Sequence, residues 1–324
     1  MTPEHEALAL QHAPELRYHP IEAHRADAAA VITDSYLAGN YSNGLVGRDG
    51  AVVAMANPIG RYRRLSLNLL VGEDEHYWEG GPQAHHDDNL VAHAGTLQWD
   101  SQRMHGLPGY GDVAYCRLAY EGDQLRWLQY WLFYYTNPPF HGLFGEHVGD
   151  WECVQIDLDD ARQPAAGVYH QHEGAVRRDW ADLPTLDSAG VVPIVYVAKN
   201  SHASYFEPGR HRRILGAADD HCSDQGEHVR PRVVILDEAV DRWIAWPGQW
   251  GHSKGSPVGP GRKGYWKDPN DFEPPLRLVI GLRPEDIAAE PAPLEPVLTA
   301  RLELDAVVVE AAWPDRPQLS LIHI

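Results

Sequence analysis

The chain has 324 residues, enough for one large domain or for one domain and the start of another. Apolar residues make up 44% of it, which allows a sizeable core, while 29 Gly and 25 Pro predict many turns. The formal net charge of −19 argues against nucleic acid as a partner, because a basic footprint would be needed. It also argues against adsorption to an anionic membrane through basic residues.

The cysteines are too few and too scattered for a disulfide framework or a thiolate zinc site, so we expect buried free thiols at Cys116, Cys153 and Cys222. The N-terminal segment MTPEHEALAL lacks the basic start and long apolar run of a secretory signal. No stretch approaches the roughly 20 apolar residues of a membrane-spanning helix. We therefore expect a soluble, cytoplasmic protein, with export by another route left open.

In chain order, residues 4–18 predict a short opening helix, and mixed, turn-rich signals follow to about residue 112. The segment LRWLQYWLFYY, from Leu125 to Tyr135, predicts a strand buried on both faces, with a buried helix as the alternative. Further strands are predicted at Cys153 to Leu158, Val191 to Ala198, Arg232 to Leu236 and Leu276 to Leu282. Long Gly/Pro-rich loops between them indicate a mostly β fold over residues 1–282, a β-sandwich core with a few peripheral helices.

The composition changes after residue 282. RPEDIAAEPAPLEP is rich in Pro, Ala and Glu, which predicts a stiff, solvated linker over residues 283–296. Residues 297–318 alternate apolar and polar side chains and predict the start of a truncated β module, present as a lone strand or a loosely docked segment. The last six residues, LSLIHI (319–324), are what a common sequencing adapter encodes in one frame, so we interpret them as an artefact.

The segment HGLFGEHVGDWECVQIDL carries the most information about function. If GDWECVQIDL forms a strand, Asp150 and Glu152 lie on the same face. That face continues with the apolar residues Val154, Ile156 and Leu158. Two carboxylates at the end of an apolar stripe are costly unless something neutralises them.

A divalent cation would neutralise the pair, and the glycine-rich approach brings His147 close enough to join it. Oxygen ligands favour Mg²⁺, Ca²⁺ or Mn²⁺, while an imidazole shifts the preference toward Mn²⁺, Zn²⁺ or Fe²⁺. The alternative is that both carboxylates are solvated at a strand end, with Trp151 anchored in the core. The sequence thus predicts a metal site, and the alternative of a purely structural strand end stays open.

Other polar and aromatic residues stand where such a site would recruit them. His172 follows the site after one loop, and His202 lies in KNSHASYF after a predicted strand, although a single histidine there is also typical of a structural hydrogen bond. Asn137 in YYTNPP is equally typical of a turn. Three aromatic side chains offer either a stacking surface for a ligand or core packing: Trp250, Tyr265 and Trp266.

Six further segments extend over roughly residues 6–275: APELRYHPIEAHRAD, YWLFYYTN, GEHVGDWE, VYVAKNSHASYF, WGHSKGSPVGP and YWKDPNDF. Together they resemble the vacuolar protein sorting-associated protein 62 family. The resemblance implies a fold and a site more than an activity.

A more distant resemblance is to the necrosis- and ethylene-inducing peptide-like proteins, secreted cytolysins with a β-sandwich and a divalent metal beside a GHRHDWE heptapeptide. HVGDWE in this chain matches its last six residues, with valine and glycine at the arginine and second histidine. The resemblance implies metal-site roles for His147, Asp150 and Glu152, and it places Asn137 near the family's upstream aspartate. Two further histidines of that family correspond to positions near His172 and His202.

The function that these observations favour is a metal-dependent binding module related to cytolysin-like sandwiches, which recognises a lipid headgroup or a glycan through the cation. A metal-assisted hydrolase, with His172 or His202 as proton shuttle, is the first alternative. A non-catalytic sorting or structural role is the second. The sequence has no GxSxG, HExxH, Walker-type loop or dinucleotide fingerprint, so binding is preferred and enzymatic activity stays open.

Overall fold

The computed structural model describes residues 2–37, 42–71, 82–92, 94–138, 147–172, 174–187, 189–211, 219–251, 257–272, 277–278, 297–303, 306–312 and 317–319. The α-helices of these residues are short: α1 (Pro3–Gln11), α2 (Ala30–Asp34), α3 (Leu97–His105) and α4 (Gly264–Lys267). None of them is long and apolar enough to cross a membrane.

Strands dominate the described residues. They are β1 (Glu15–Arg17), β2 (Ala26–Asp27), β3 (Gly44–Val46), β4 (Val52–Met55), β5 (Arg63–Arg64), β6 (Asn89–Val91), β7 (Val113–Glu121), β8 (Gln124–Asn137), β9 (His147–Leu158), β10 (Pro164–Gln171), β11 (Gly174–Asp179), β12 (Ile194–Val197), β13 (Ser204–Tyr205), β14 (Gly209–His211), β15 (Asp220–Cys222), β16 (His228–Val229), β17 (Arg232–Ile235), β18 (Arg277–Leu278), β19 (Val297–Glu303), β20 (Ala306–Ala312) and β21 (Pro317–Leu319).

The central sheet has the order β11-β10-β9-β8-β7-β17, and β2 pairs with the end of β8. Neighbouring strands are antiparallel except for β17, which runs parallel to β7. Strands β8 and β9 are the longest, with 14 and 12 residues, and lie in the middle. The aromatic run from Leu125 to Tyr135 is therefore a strand, as its apolar density predicts.

Each face of the central sheet is covered by a hydrophobic cluster. On one face, Trp131, Phe133 and Trp151 pack with residues of the small sheet β5-β4-β3-β6. On the opposite face, Tyr134 and Ile156 pack with residues of the sheet β13-β12-β1-β16. Burial on both faces explains why β8 is apolar at successive positions and lacks the alternation of a half-exposed strand. The predicted mostly β fold is confirmed.

Some elements differ from the sequence prediction. The opening helix ends at Gln11, because the residue before Pro14 disfavours helical geometry, and Leu16 belongs to β1, which pairs parallel with β12. The prediction of a helix to residue 18 is therefore wrong beyond Gln11. Strands β7, β10 and β11 form without having been predicted from the sequence.

The C-terminal region contains a four-stranded sheet in the order β18-β19-β20-β21. Residues 297–318 do not contain a lone strand, because β19 and β20 form an antiparallel pair and β18 joins its edge, while the alternative of a loosely docked segment stays a prediction. The linker predicted at residues 283–296 lies outside the described residues, as do residues 320–324 of the presumed adapter peptide. The predicted domain boundaries stay predictions.

Candidate functional site

Asp150 and Glu152 lie in β9, beside the longest strand of the central sheet. Asp150 pairs with Tyr134 of β8, and Glu152 pairs with Leu132. Both pairing partners belong to the cluster that also contains Val154 and Ile156, whereas Trp151 belongs to the cluster on the other face. The two carboxylates are therefore on one face, at the end of an apolar stripe, as the period of two in a strand predicts.

A glycine sets the backbone immediately before Asp150. Gly149 has a φ of +70°, and a Cβ at this position would overlap the carbonyl oxygen of Trp250. Only glycine combines this left-handed conformation with so close an approach of a second backbone. The conformation of Gly149 thus determines the backbone path of β9 immediately before Asp150, and with it the position of Asp150 in the site.

The loop between β12 and β13 supplies His202. Asn200 and His202 both have left-handed backbone conformations, with φ of 68° and 56°. Backbone hydrogen bonds close the loop: His202 N–H donates to the Ala198 carbonyl at 3.0 Å, and Ala198 N–H donates to Ala203 at 2.9 Å. Two non-glycine residues in this region are unfavourable, and such conformations persist where the surroundings hold them.

His202 is fully buried beside Asp150. Its Nδ1 is 3.2 Å from Asp150 Oδ2, and its ring stacks on Tyr134 with centroids 3.9 Å apart and planes 2° apart. An ionised carboxylate only accepts hydrogen bonds, so the hydrogen of this bond is on Nδ1. The other ring nitrogen, Nε2, is buried and has no hydrogen-bond partner among the described residues. Other buried atoms share this state, His170 Nε2 among them, so it is the position of His202 beside Asp150 that favours a site for a further group.

The electrostatics of Asp150 favour its ionised form. Burial, the largest effect, raises its pKa, but the hydrogen bond from His202 and the charge of His147 outweigh burial and lower the pKa below the usual value. The charge of Lys263 acts in the same direction. Asp150 is therefore held as a carboxylate in a largely apolar environment, as a cation-binding residue needs to be.

His147 and Asn137 are brought together at one end of the sheet. They are directly paired across β9 and β8. His147 Nδ1 lies 2.7 Å from the carbonyl oxygen of Gly149, and since a carbonyl only accepts, Nδ1 donates, so that Nε2 would present a lone pair to a cation when the ring is neutral. A histidine whose second nitrogen is bonded to a carbonyl is the arrangement common to metal ligands.

The described residues do not form a ready-made metal centre. Among them, no three His, Cys, Asp or Glu side chains converge so as to hold a metal ion. His147 affects Asp150 electrostatically, but its ring does not complete a coordination shell around the two carboxylates. The donor types suit a divalent cation, while their assembly would require side-chain movement or water ligands.

His172 belongs to a neighbouring cluster centred on Asp220. Its Nε2 is 2.8 Å from Asp220 Oδ2, and Asp220 also accepts hydrogen bonds from Ser201 Oγ at 2.6 Å and Tyr205 OH at 2.6 Å. Burial, the largest effect, raises the pKa of Asp220, but the bond and charge of His172 and the two hydroxyl bonds lower it overall. The structure thus places His172 with Asp220 and His202 with Asp150.

The aromatic side chains considered as a ligand surface lie in the core. Trp250 is 0% exposed and packs edge-to-face on Trp151 and Phe133, at centroid distances of 5.2 and 5.3 Å. Trp266 is 7% exposed and lies beneath the Arg117 guanidinium. The rings of Trp250 and Trp266 are therefore covered by protein, in agreement with the core-packing alternative, and a role in ligand stacking stays a prediction.

One residue of the site is missing from the sequence analysis. Glu22 lies between β1 and β2, and its side chain is 1% exposed and faces His202. Glu22, Asp150 and His202 are separated by more than fifty residues along the chain at each step, so no local spacing connects them. The segment between β1 and β2, which contains Glu22, lies beside the site only because β1 pairs with β12 and β2 pairs with β8.

Comparisons with known proteins give broad structural likenesses. No family model matches the chain, and no curated protein matches it. The solved structures similar to it include one described as "Toxin fold for microbial attack and plant defense", with 13% identity and a TM-score of 0.34 over 71% of this chain and 72% of that one. Another is Necrosis and Ethylene inducing Protein 2 from the causal agent of cocoa's witches' broom disease, with 13% identity and a TM-score of 0.32 over 72% and 74%.

A third similar structure is NLPPya in complex with glucosamine, with 16% identity and a TM-score of 0.26 over 38% of this chain and 51% of that one. These identities and TM-scores assign no role to any residue of this chain. The resemblance to the vacuolar protein sorting-associated protein 62 family gains no support from these comparisons.

Proposed function

We propose that the chain is a cation-dependent binding module whose site is formed by Asp150 and Glu152 and recognises an oxygen-rich polar group, either a lipid headgroup or a glycan. The observation that carries the proposal is the pair of Asp150, whose side chain is 13% exposed, and the fully buried His202, with an ionised carboxylate on one side and an unpartnered ring nitrogen on the other. Such an arrangement costs stability, and a structural role alone does not explain it.

The residues fit a hard divalent cation by their chemistry. Asp150 and Glu152 supply carboxylate oxygens on one face of β9, and His147 presents Nε2. Asn137, paired with His147, would add an amide oxygen. The carboxylate and amide oxygens favour Mg²⁺, Ca²⁺ or Mn²⁺, while the imidazole of His147 shifts the preference toward Mn²⁺, Zn²⁺ or Fe²⁺. A bound cation would supply open coordination positions for phosphate or sugar oxygens of the partner.

A thermal-unfolding series tests the cation. Chelator-treated protein is heated with Mg²⁺, Ca²⁺, Mn²⁺ or Zn²⁺, and a cation at 100 times its dissociation constant should stabilise the fold by about 2.7 kcal/mol. Asp150→Asn should remove most of this response because it removes a charged ligand. Trp151→Phe, on the opposite face of the same strand, is the matched control and should retain it. If no cation shifts the wild-type Tm, or if Asp150→Asn responds like wild type, the proposal fails.

Sedimentation with the preferred cation identifies the partner class. The two probes are vesicles of phosphatidylcholine with phosphatidylinositol and agarose beads carrying a neutral oligosaccharide. Binding to one probe that is lost with chelator and in Asp150→Asn supports the proposal and names the class. Equal binding with and without chelator would contradict it, because the partner would then be held without the cation.

A further inference from the structure

Glu22 is a buried carboxylate with both oxygens engaged by backbone groups. Its Oε1 accepts a hydrogen bond from the His24 N–H at 2.9 Å, and its Oε2 accepts one from the Asn200 N–H at 2.6 Å. The first bond fixes the side chain to its own segment, and the second ties it to the loop that carries His202. Glu22 therefore connects the start of the chain to one of the two left-handed residues of that loop.

The same carboxylate faces the ring of His202. Glu22 Oε1 is 4.0 Å from His202 Nε2, while the ring's Nδ1 is 3.2 Å from Asp150 Oδ2 on the other side. The imidazole is thus placed between two carboxylates, and its plane is set by the stack on Tyr134. The side chains of His202 and Glu22 are 0% and 1% exposed, so water does not screen their interaction.

We propose that Glu22 is a positioning residue of the Asp150 site: it holds the loop at Asn200 and orients the His202 ring so that Nδ1–H points at Asp150. The proposal deepens the function proposed above, on which it rests for the role of the site. Glu22 acts in two separable ways. An acceptor oxygen holds the Asn200 N–H, and the negative charge lies 4.0 Å from Nε2 on the far side of the imidazole.

The physical reason is that the loop does not hold its conformation unaided. Asn200 and His202 occupy the left-handed region, which Asn and His adopt more readily than most residues but still at a cost, and a partner for the Asn200 N–H stabilises the loop there. Without Glu22 the loop is free to relax, and His202 loses the geometry of its bond to Asp150. Groups that orient a ligand-binding side chain in this way change metal affinity by about 10- to 100-fold when they are removed.

Two substitutions separate the two effects. Glu22→Gln keeps an acceptor oxygen for Asn200 and removes the charge, whereas Glu22→Ala removes both. The control is Glu15→Gln, since Glu15 is also buried on the N-terminal segment but pairs with Arg17 at 3.0 Å, away from the site. The readouts are the ¹⁵N chemical shifts of the His202 ring in metal-free protein, assigned with His202→Gln, and Mn²⁺ affinity by calorimetry.

We expect the ring nitrogen shifts of His202 to change in both Glu22 variants and to stay at wild-type values in Glu15→Gln. Mn²⁺ affinity should fall about tenfold or more in Glu22→Ala and less in Glu22→Gln. Wild-type ring shifts in Glu22→Gln and Glu22→Ala would overturn the proposal, and if Glu22→Ala does not fold, Glu22→Gln decides. If wild type binds no Mn²⁺, the proposed function fails, and the ring shifts of metal-free protein still decide whether Glu22 positions His202.

Discussion

The loop between β12 and β13 contacts two carboxylates, the buried Asp220 and the partly exposed Asp150, in different ways. Ser201 donates to Asp220, whose hydrogen-bonding capacity is also used by His172 and Tyr205. His202, one residue later, bonds to Asp150 and leaves a buried nitrogen without a hydrogen-bond partner. Asp220, which is surrounded by hydrogen-bond donors, stabilises the fold, whereas the hydrogen bonding of His202 beside Asp150 is incomplete. The comparison indicates that Asp220 fastens the loop and that Asp150 belongs to the site.

The largest expected effect concerns the backbone beside Asp150. Gly149→Ala should lower the free energy of unfolding by about 2 to 4 kcal/mol, because a left-handed alanine costs about 1 to 2 kcal/mol and the overlap with the Trp250 carbonyl adds a packing cost of similar size. The measurement is urea unfolding at pH 7.5. It tests whether the geometry around Asp150 depends on the backbone conformation of Gly149, whereas the geometry around Asp220 depends on side-chain hydrogen bonds.

Gly50→Ala is the matched control for this experiment. Gly50 also has a positive φ, of 83°, but a Cβ there meets nothing within 4 Å. This variant should lose about 1 kcal/mol, from the conformation alone. Equal losses in the two variants would show that the Trp250 carbonyl moves aside easily and that Gly149 is not a constraint on the site.

The second prediction compares the two carboxylates directly. Asp220→Asn should destabilise the fold by about 2 to 3 kcal/mol, because an amide weakens the bonds to His172, Ser201 and Tyr205. Asp150→Asn should cost less in the absence of a cation, while it abolishes the cation response. Urea unfolding of both variants with and without Mn²⁺ measures the difference. The reverse order of stability losses would contradict the division between a structural and a functional carboxylate.

The pKa of Asp220 gives this prediction a pH dependence. The pKa of Asp220 in the folded state lies below its usual value of 3.8. The stability that ionised Asp220 contributes is therefore present above pH 3.8 and is lost as the pH falls through the lower folded pKa. Wild type should therefore lose stability more steeply than Asp220→Asn below pH 4. Parallel loss in the two proteins would mean that other carboxylates dominate acid unfolding.

The strands nearest the site were predictable from the sequence because their pattern is local. The density of apolar residues from Leu125 to Tyr135 identified β8, and the alternation after Asp150 identified the faces of β9. Strand β10 was missed because PAAGVYHQ contains Pro, Gly and small residues that read as a turn. Its place between β9 and β11 comes from pairing, which propensity does not encode.

Only the part of the site that lies on β9 was predictable from the sequence. Asp150 and Glu152 share a strand, so their common face follows from spacing, and His202 was noted because it follows an apolar segment. Its bond to Asp150, and the place of Glu22 behind it, depend on contacts between segments more than fifty residues apart. The burial of Trp250 likewise results from tertiary packing that the sequence pattern does not reveal.

The smallest expected effect distinguishes two histidines of one segment. His172 is bonded to Asp220, whereas His170, two residues earlier, is 3% exposed and its Nε2 has no hydrogen-bond partner among the described residues. Burial, with a smaller effect from the charge of Lys263, lowers the pKa of His170 to about 3. The neutral ring stacks on Tyr265 with centroids 3.8 Å apart. His170 thus resists protonation in the folded state.

The stability of wild type should consequently fall as the pH drops below the unfolded pKa of 6.5, because the unfolded chain binds a proton that folded His170 does not. The slope from this residue approaches about 1.4 kcal/mol per pH unit toward pH 5. His170→Phe keeps an aromatic ring on Tyr265 and removes the titration, so its free energy of unfolding should fall less between pH 7.5 and 5. Urea unfolding at both pH values measures the difference. An equal fall in both proteins would mean that His170 takes up a proton in the folded state, and that its position offers a partner that Nε2 lacks in this structure.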